Sequence, residues 1–273
     1  MIRLHHGLIA FLLFGFAGGF PQQPKSQTTA SAPAAATFPP LAKPDPANHL
    51  PVGQTLVYGA EWRIFNAGTA SLKLEQTPQA GGTTESHVIG TADAAGAVAL
   101  LYHVHDRYES FFNASNFCSK VLSKKIEEGL RRVNLDIKFD YQRGKAVLDQ
   151  KNLKKGDSKH VEEDIPACVT DVLSAFYYVG SLPLQPGKTF SFPLNDGGKT
   201  VTVDVHCEAK EQIKTPAGTF NTVRIQPDIP SGVLKGKGKI WIWYSEDLRM
   251  PVRLKGHLFW GTVTFTLQRI EKK

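Results

Sequence analysis

His103 and His105 are the residues whose types and spacing most directly invite chemistry. On a β-strand, side chains two apart share a face, so both imidazoles can reach one metal ion. A metal-dependent hydrolase built on them needs a third ligand from elsewhere, and His87, His160, His206 and His257 stand at no telling spacing. The plainer expectation is two histidines on a polar sheet face, because short motifs recur by chance. Asp106, Glu109, Glu127 and Glu128 stand near Arg107, Arg131 and Arg132, on two stretches that can be neighbouring strands. Two carboxylates acting as acid and base must flank a substrate at a fixed separation. Glu127 and Glu128 are adjacent and point to opposite faces of a strand, so the working pair would be Asp106 or Glu109 with Glu127. Cross-strand ion pairs such as Arg107 with Glu127 are the simpler expectation, worth roughly 0.2–1 kcal/mol each.

Other chemistries have less to stand on. There is no Gly-x-Ser-x-Gly elbow, Ser174 has no base near it in sequence, and Cys207 points away from His206 on its strand. No phosphate-binding loop or dinucleotide fingerprint occurs, so no cofactor is called for. A binding surface is better supported. Trp241 and Trp243 alternate with Ile240, Ile242 and Tyr244, making one strand apolar on both sides. In the run Gly232–Lys239, Gly236 and Gly238 share the face opposite Lys235, Lys237 and Lys239, and a glycine in a strand marks close approach to the backbone. With Phe176 from a nearby helix, these residues outline an apolar concave surface for a lipid-like or amphipathic molecule. The competing expectation is a strand simply buried between sheet and helix.

The elements that must position these residues are mostly strands. One long segment, Asp164–Gly180, reads as a helix: Asp164 as N-cap, Pro166 in the first turn, and Val169, Val172, Leu173 and Phe176 on one face. Leu56–Ile64 alternates as a strand, Asn66-Ala67-Gly68 turns the chain, and Ala70, Leu72 and Leu74 start the next strand. His87–Thr91 and Val98–Glu109 continue the meander. Val133, Leu135, Ile137, Phe139 and Tyr141 give the clearest period of two, and Asn195-Asp196-Gly197-Gly198 signals a hairpin into Val201–Ile213. So many antiparallel strands must close, curl or split. The predicted fold is mainly β: a curled antiparallel sheet, barrel or half-barrel, packed around one α-helix.

Among 273 residues, 41% are hydrophobic and 21% charged, as in a globular protein with a true core. The net charge of +7 is spread along the chain, which argues against nucleic acid as a partner. Arg3, His5 and His6 precede the apolar run Gly7–Phe20, with small residues at Ala17 and Gly19, the layout of a secretory signal peptide over residues 1–19. The run is shorter than the ~20 residues of a spanning helix, and after cleavage no later segment is suited to cross a membrane as one. Residues 20–50, rich in Pro, Ala, Thr and Ser, read as a disordered linker, leaving residues 51–273 as a single β-rich domain in the periplasm or outside the cell. In that oxidising setting Cys118 and Cys168 can be bridged, while Cys207 ends an apolar alternation as a buried thiol; the alternative is three unpaired thiols.

The segments Val52–Gly68, His105–Phe112, Lys124–Arg132, Asp171–Phe192, Thr215–Pro227 and Trp241–Gly256 together carry a resemblance. They resemble, in order, a family of exported bacterial proteins known as domain of unknown function 3108. The resemblance implies an exported, β-rich domain and supplies no activity and no catalytic residues. The functional expectation is therefore a non-catalytic exported cell-envelope protein that binds an amphipathic ligand. Its alternatives are an interaction module with an envelope protein or polymer as partner, and the hydrolase centred on His103 and His105.

Overall fold

A computed structural model describes residues 38–197, 199–228, 239–258 and 261–272. The first run of strands is β1 (Gln54–Trp62), β2 (Phe65–Pro78), β3 (Thr84–Ala94), β4 (His105–Asn113), β5 (Ser119–Glu128), β6 (Arg131–Asp140), β7 (Lys145–Asn152) and β8 (Ser158–Asp164). The second is β9 (Thr189–Asn195), β10 (Thr200–Thr215), β11 (Gly218–Asp228), β12 (Lys239–Ser245), β13 (Pro251–Leu258) and β14 (Gly261–Lys272). A short helix α1 (Gly96–Leu101) joins β3 to β4, and α2 (Val172–Ser181) lies between β8 and β9.

All the strands form one antiparallel sheet in the order β8-β7-β6-β5-β4-β3-β2-β1-β14-β13-β12-β11-β10-β9. Helix α2 touches the adjacent strands β3 and β4 and also β9, which lies at the far edge in that order, so the sheet curls around the helix as expected. It does not close: β8 and β9 are its two edges. Residues 169–171 fill part of the opening. Thr170 lies parallel to Leu194 of β9, donating to the Pro193 carbonyl at 3.0 Å and accepting from Asn195 N at 2.8 Å. On the other side Ser119 N of β5 donates to the Val169 carbonyl at 2.9 Å. The Cys118–Cys168 disulfide is present and anchors this clasp where it meets β5. Cys207 is free and buried.

The helix is shorter than the sequence suggested. Asp164 ends β8 opposite Lys145, and Pro166 lies in the connection. The true N-cap is Asp171, whose carboxylate accepts from Leu173 N at 2.8 Å and Ser174 N at 2.9 Å, while Asp171 N donates to Ser174 Oγ. This reciprocal box satisfies amides that a helix start otherwise leaves unpaired. Leu173 and Phe176 are buried on the helix as expected, whereas buried Val169 belongs to the clasp. Gly180 lies inside α2 instead of ending it: an added Cβ would stand 1.9 Å from the Arg249 carbonyl oxygen, a distance only glycine tolerates.

Three further expectations are corrected. The first turn falls at Arg63 and Ile64, not at Asn66-Ala67-Gly68, which opens β2. Gly96–Leu101 is helix, so the strand expected from Val98 begins only at His105. The folded part also starts before Pro51. Ala42 N donates to Tyr178 Oη at 2.8 Å, Asp45 N to the Ser181 carbonyl at 2.7 Å, and Asp45 pairs with Arg249, while Leu41 and Leu50 pack on the core. Enough partners line this path to order a Pro-rich segment that could not fold alone.

The period of two sets the core. On β6, Val133, Leu135, Ile137 and Phe139 are buried between exposed or half-buried neighbours. Equivalent positions of the other strands join them and α2 in one continuous cluster, each large side chain worth about 1.5–3 kcal/mol in removal from water.

Candidate functional site

Polar side chains interrupt that core along one line. Alternation on β4 turns Asp106, Tyr108 and Ser110 inward, and on β5 it turns Ser119, Lys124 and Glu128 inward. At the foot of the line the Asp171 carboxylate, fully buried, accepts from Ser110 Oγ at 2.5 Å and Ser119 Oγ at 2.6 Å in addition to the two helix amides. Burial raises its pKa and these donors oppose the rise. Every lone-pair direction is engaged, so Asp171 fixes the start of α2 to β4 and β5.

Midway, Lys124 Nζ lies 2.6 Å from Asp196 Oδ1, donates to the Asp196 carbonyl at 2.7 Å, and stands 5.5 Å from the Tyr108 ring centre. Burial pulls the lysine pKa down and the aspartate partly restores it. This pair ties β5 to the β9–β10 hairpin across the hollow. A buried pair of this kind is costly to break from one side, because the remaining charge is left without compensation.

At the head, Asp106 and Glu128 approach each other. Asp106 Oδ1 accepts from Glu127 N at 2.8 Å, while Oδ2 meets no nitrogen or hydroxyl donor. The Glu128 carboxyl lies within hydrogen-bonding reach of Asp106 and pairs with Arg131 at 3.2 Å. One guanidinium faces two carboxyls, so the pair retains a proton. Burial, then the Glu128 charge, pushes Asp106 up to about 7, and burial raises Glu128 as well. Such a pair could act as acid and base if a substrate reached it. Asp106 is only 1% exposed and Glu128 3%, so in this arrangement it is sealed.

The residues singled out from sequence are distributed differently. The acid pair is Asp106 with Glu128, not with Glu127, which points outward to Arg132 at 3.0 Å. Glu109 also faces outward and holds Arg107 and His87. His105 opens β4 and binds Asp93 at 2.6 Å, a contact that raises its pKa, whereas His103 lies exposed ahead of the strand. Among the described residues no three His, Cys, Asp or Glu side chains gather as a metal would need.

Of the proposed ligand residues that are described, Phe176 does not share a surface with Trp241 and Trp243. Phe176 faces the inside of the curl, where Tyr244 Oη donates to its carbonyl at 3.2 Å. Tyr244 shares the inner face with Ile240 and Ile242, so Trp241 and Trp243 point outward. Trp243 Nε1 donates to Glu211 at 2.8 Å, and Trp241 stacks edge-on against His257. Gly236 and Gly238 lie outside the described residues. A cleft of about 180 Å³ does open near the end of α2, lined by Asp45, Gly180, Gln185, Lys210, Tyr244 and Arg249 among others. Its charges are paired, Arg249 with Asp45 and Lys210 with Glu246, and its polar wall does not suit an apolar chain. Of the polar line inside the curl, sequence reasoning singled out Asp106 and Glu128 but missed Ser110, Ser119, Lys124 and Asp171. The line's only sequence signal is a set of charged or hydroxyl residues at inward positions of otherwise alternating strands.

The family model for a protein of unknown function, DUF3108, matches residues 57–268. Among curated proteins none matches. Among solved structures, the chain is similar to the β-barrel-like protein of domain of unknown function DUF1849 from Brucella abortus, with 9% identity and a TM-score of 0.50, covering 81% of this chain and 97% of that one. It is also similar to a protein with YmcC-like fold from Bacteroides fragilis, with 13% identity and a TM-score of 0.38, covering 87% of this chain and all of that one. At 9% identity the likeness to the first is one of fold, and it agrees with the curled, barrel-like sheet described above.

Proposed function

The chain belongs to the DUF3108 family, and on that premise we propose that it is a non-catalytic exported protein of the cell envelope. The observation that carries this reading is the filled interior: α2 occupies the hollow, with all but the first of its residues buried. The polar groups within reach of one another there are engaged in capping, ion pairing and proton sharing that hold the sheet to the helix. An amphipathic molecule or an envelope protein is therefore met on the outside of the curl. The leader-like segment at Gly7–Phe20 supports export, and the Cys118–Cys168 bridge suits an oxidising compartment.

Fractionation of a Gram-negative bacterium expressing the full chain tests this. The expected result is a processed chain, cut near Ala17–Gly19 and oxidised at Cys118 and Cys168, in the periplasmic or membrane fraction. A full-length, reduced chain in the cytosol overturns the reading, as does turnover of a substrate by a chain altered only at Asp106 and Glu128 being lost relative to the unaltered one.

A further inference from the structure

An antiparallel meander sends alternate turns to opposite ends of its sheet. The β1–β2, β3–β4, β5–β6 and β7–β8 connections therefore share one end, and backbone bonds lace them into a continuous rim. Ala95 N donates to the Ala67 carbonyl at 3.0 Å, Gly129 N to the His103 carbonyl at 2.7 Å, and Leu153 N to the Arg132 carbonyl at 2.9 Å. Six of the seven large apolar side chains exposed among the described residues sit on this rim: Ile64 and Phe65, Leu100 and Leu101, Leu130, and Leu153. Leu100 is 90% exposed and Ile64 87%, so nothing in the fold requires them to be apolar. The seventh, Val52, is at the other end, just ahead of β1.

Scattered apolar residues on a surface need no explanation, but a concentration at the tips of four separate connections does. Cations accompany them. Arg63 adjoins Ile64 and lies against the Trp62 ring, and Lys154 and Lys155 follow Leu153, against the acidic Glu61 and Asp157 nearby. Apolar tips flanked by exposed basic side chains match the interface of a membrane carrying anionic headgroups: the tips enter the acyl boundary while the cations stay at headgroup depth. We propose that this rim docks the protein onto an anionic lipid bilayer surface. The proposal rests on the envelope reading above and names its amphipathic partner. Leu100 and Leu101 on the turn of α1, and Ile64 and Phe65 beside it, would form the deepest part of the contact.

Flotation of the purified full chain with vesicles of phosphatidylcholine, with and without phosphatidylglycerol, tests the proposal. The chain should float with the phosphatidylglycerol vesicles. A combined Ile64→Ser, Phe65→Ser, Leu100→Ser and Leu101→Ser variant should partition at least about tenfold less, since removing even one large apolar side chain from water is worth that factor. Thermal unfolding of that variant should match the parent, because the altered side chains have little to pack against. Lys154→Glu with Lys155→Glu should weaken binding to the phosphatidylglycerol vesicles specifically, and Val52→Ser should leave binding unchanged. A chain that stays in solution with both vesicles, or a serine variant that binds as well as the parent, overturns the proposal. So does a rim variant that instead loses a crosslinked envelope protein while the parent ignores lipid. Either failure in a chain that still fractionates with the envelope removes the rim assignment alone, whereas a cytosolic chain removes the export reading.

Discussion

Replacing Asp106 with asparagine should make the protein more stable at alkaline pH. In the folded chain Asp106 keeps its proton up to about 7 because it is buried beside Glu128, whereas in an unfolded chain it releases it near 3.9. The folded state therefore binds more protons between those values. The associated stability is complete below about pH 4 and drains away as pH rises towards 7, at about 1.4 kcal/mol per pH unit and up to about 4 kcal/mol in all. Asparagine cannot ionise. Its carbonyl can keep the acceptor role towards Glu127 N, and its amide can donate to the Glu128 carboxylate where Asp106 Oδ2 has no donor. Urea unfolding at a series of pH values from 4 to 8 is the assay. The parent curve should fall with pH more steeply than the variant's, with the two nearly level at the acid end and the variant ahead at the alkaline end. Parallel curves, or a variant less stable at pH 8, would refute the shared-proton arrangement.

Breaking the Cys118–Cys168 bridge with serine at both positions should lower stability by up to about 4 kcal/mol, from the entropy of a loop spanning 50 residues. Because the bridge holds the clasp at 169–171, amide exchange of Thr170 and Asp171 should quicken first. Equal urea midpoints for parent and variant under oxidising conditions would count against it. Gly180→Ala should cost about 1–3 kcal/mol, as the new methyl meets the Arg249 carbonyl. A thermal midpoint equal to the parent's would show that the α2 and Arg249 backbones can part without penalty.

Much of the architecture could be read from side-chain periodicity, because alternation on a strand reports its two environments directly. Val133 through Phe139 show it, and so do Val203, Val205 and Cys207, all buried as their spacing demands. The Cys118–Cys168 bridge was visible as one of two open alternatives. The start of α2 was misplaced because Asp164 and Pro166 imitate a helix entrance, while the box that counts, Asp171 with Ser174, gains its importance from Ser110 and Ser119 on distant strands. Strand partnership likewise decides the acid pair: Val104 bridges Glu128, which brings the inward Asp106 beside it, and adjacent Glu127 is left outside. The rim was hidden for the same reason, since its residues are scattered from Ile64 to Leu153 and only the meander gathers them.

The order of the sheet also governs how the chain can be assembled. Every strand has its nearest sequence neighbour beside it except at one seam, β1 against β14. The first eight strands can zip into a ribbon by themselves, yet the inner border of that ribbon, β1, stays bare until β14 arrives. A chain cut short before Gly261 would lose the ladder that joins its two ribbons there, leaving β1 and β13 each with a raw border open to pairing with any other unfinished copy. Completion at the far end thus acts as a late checkpoint, and the last dozen residues decide whether the whole becomes one body.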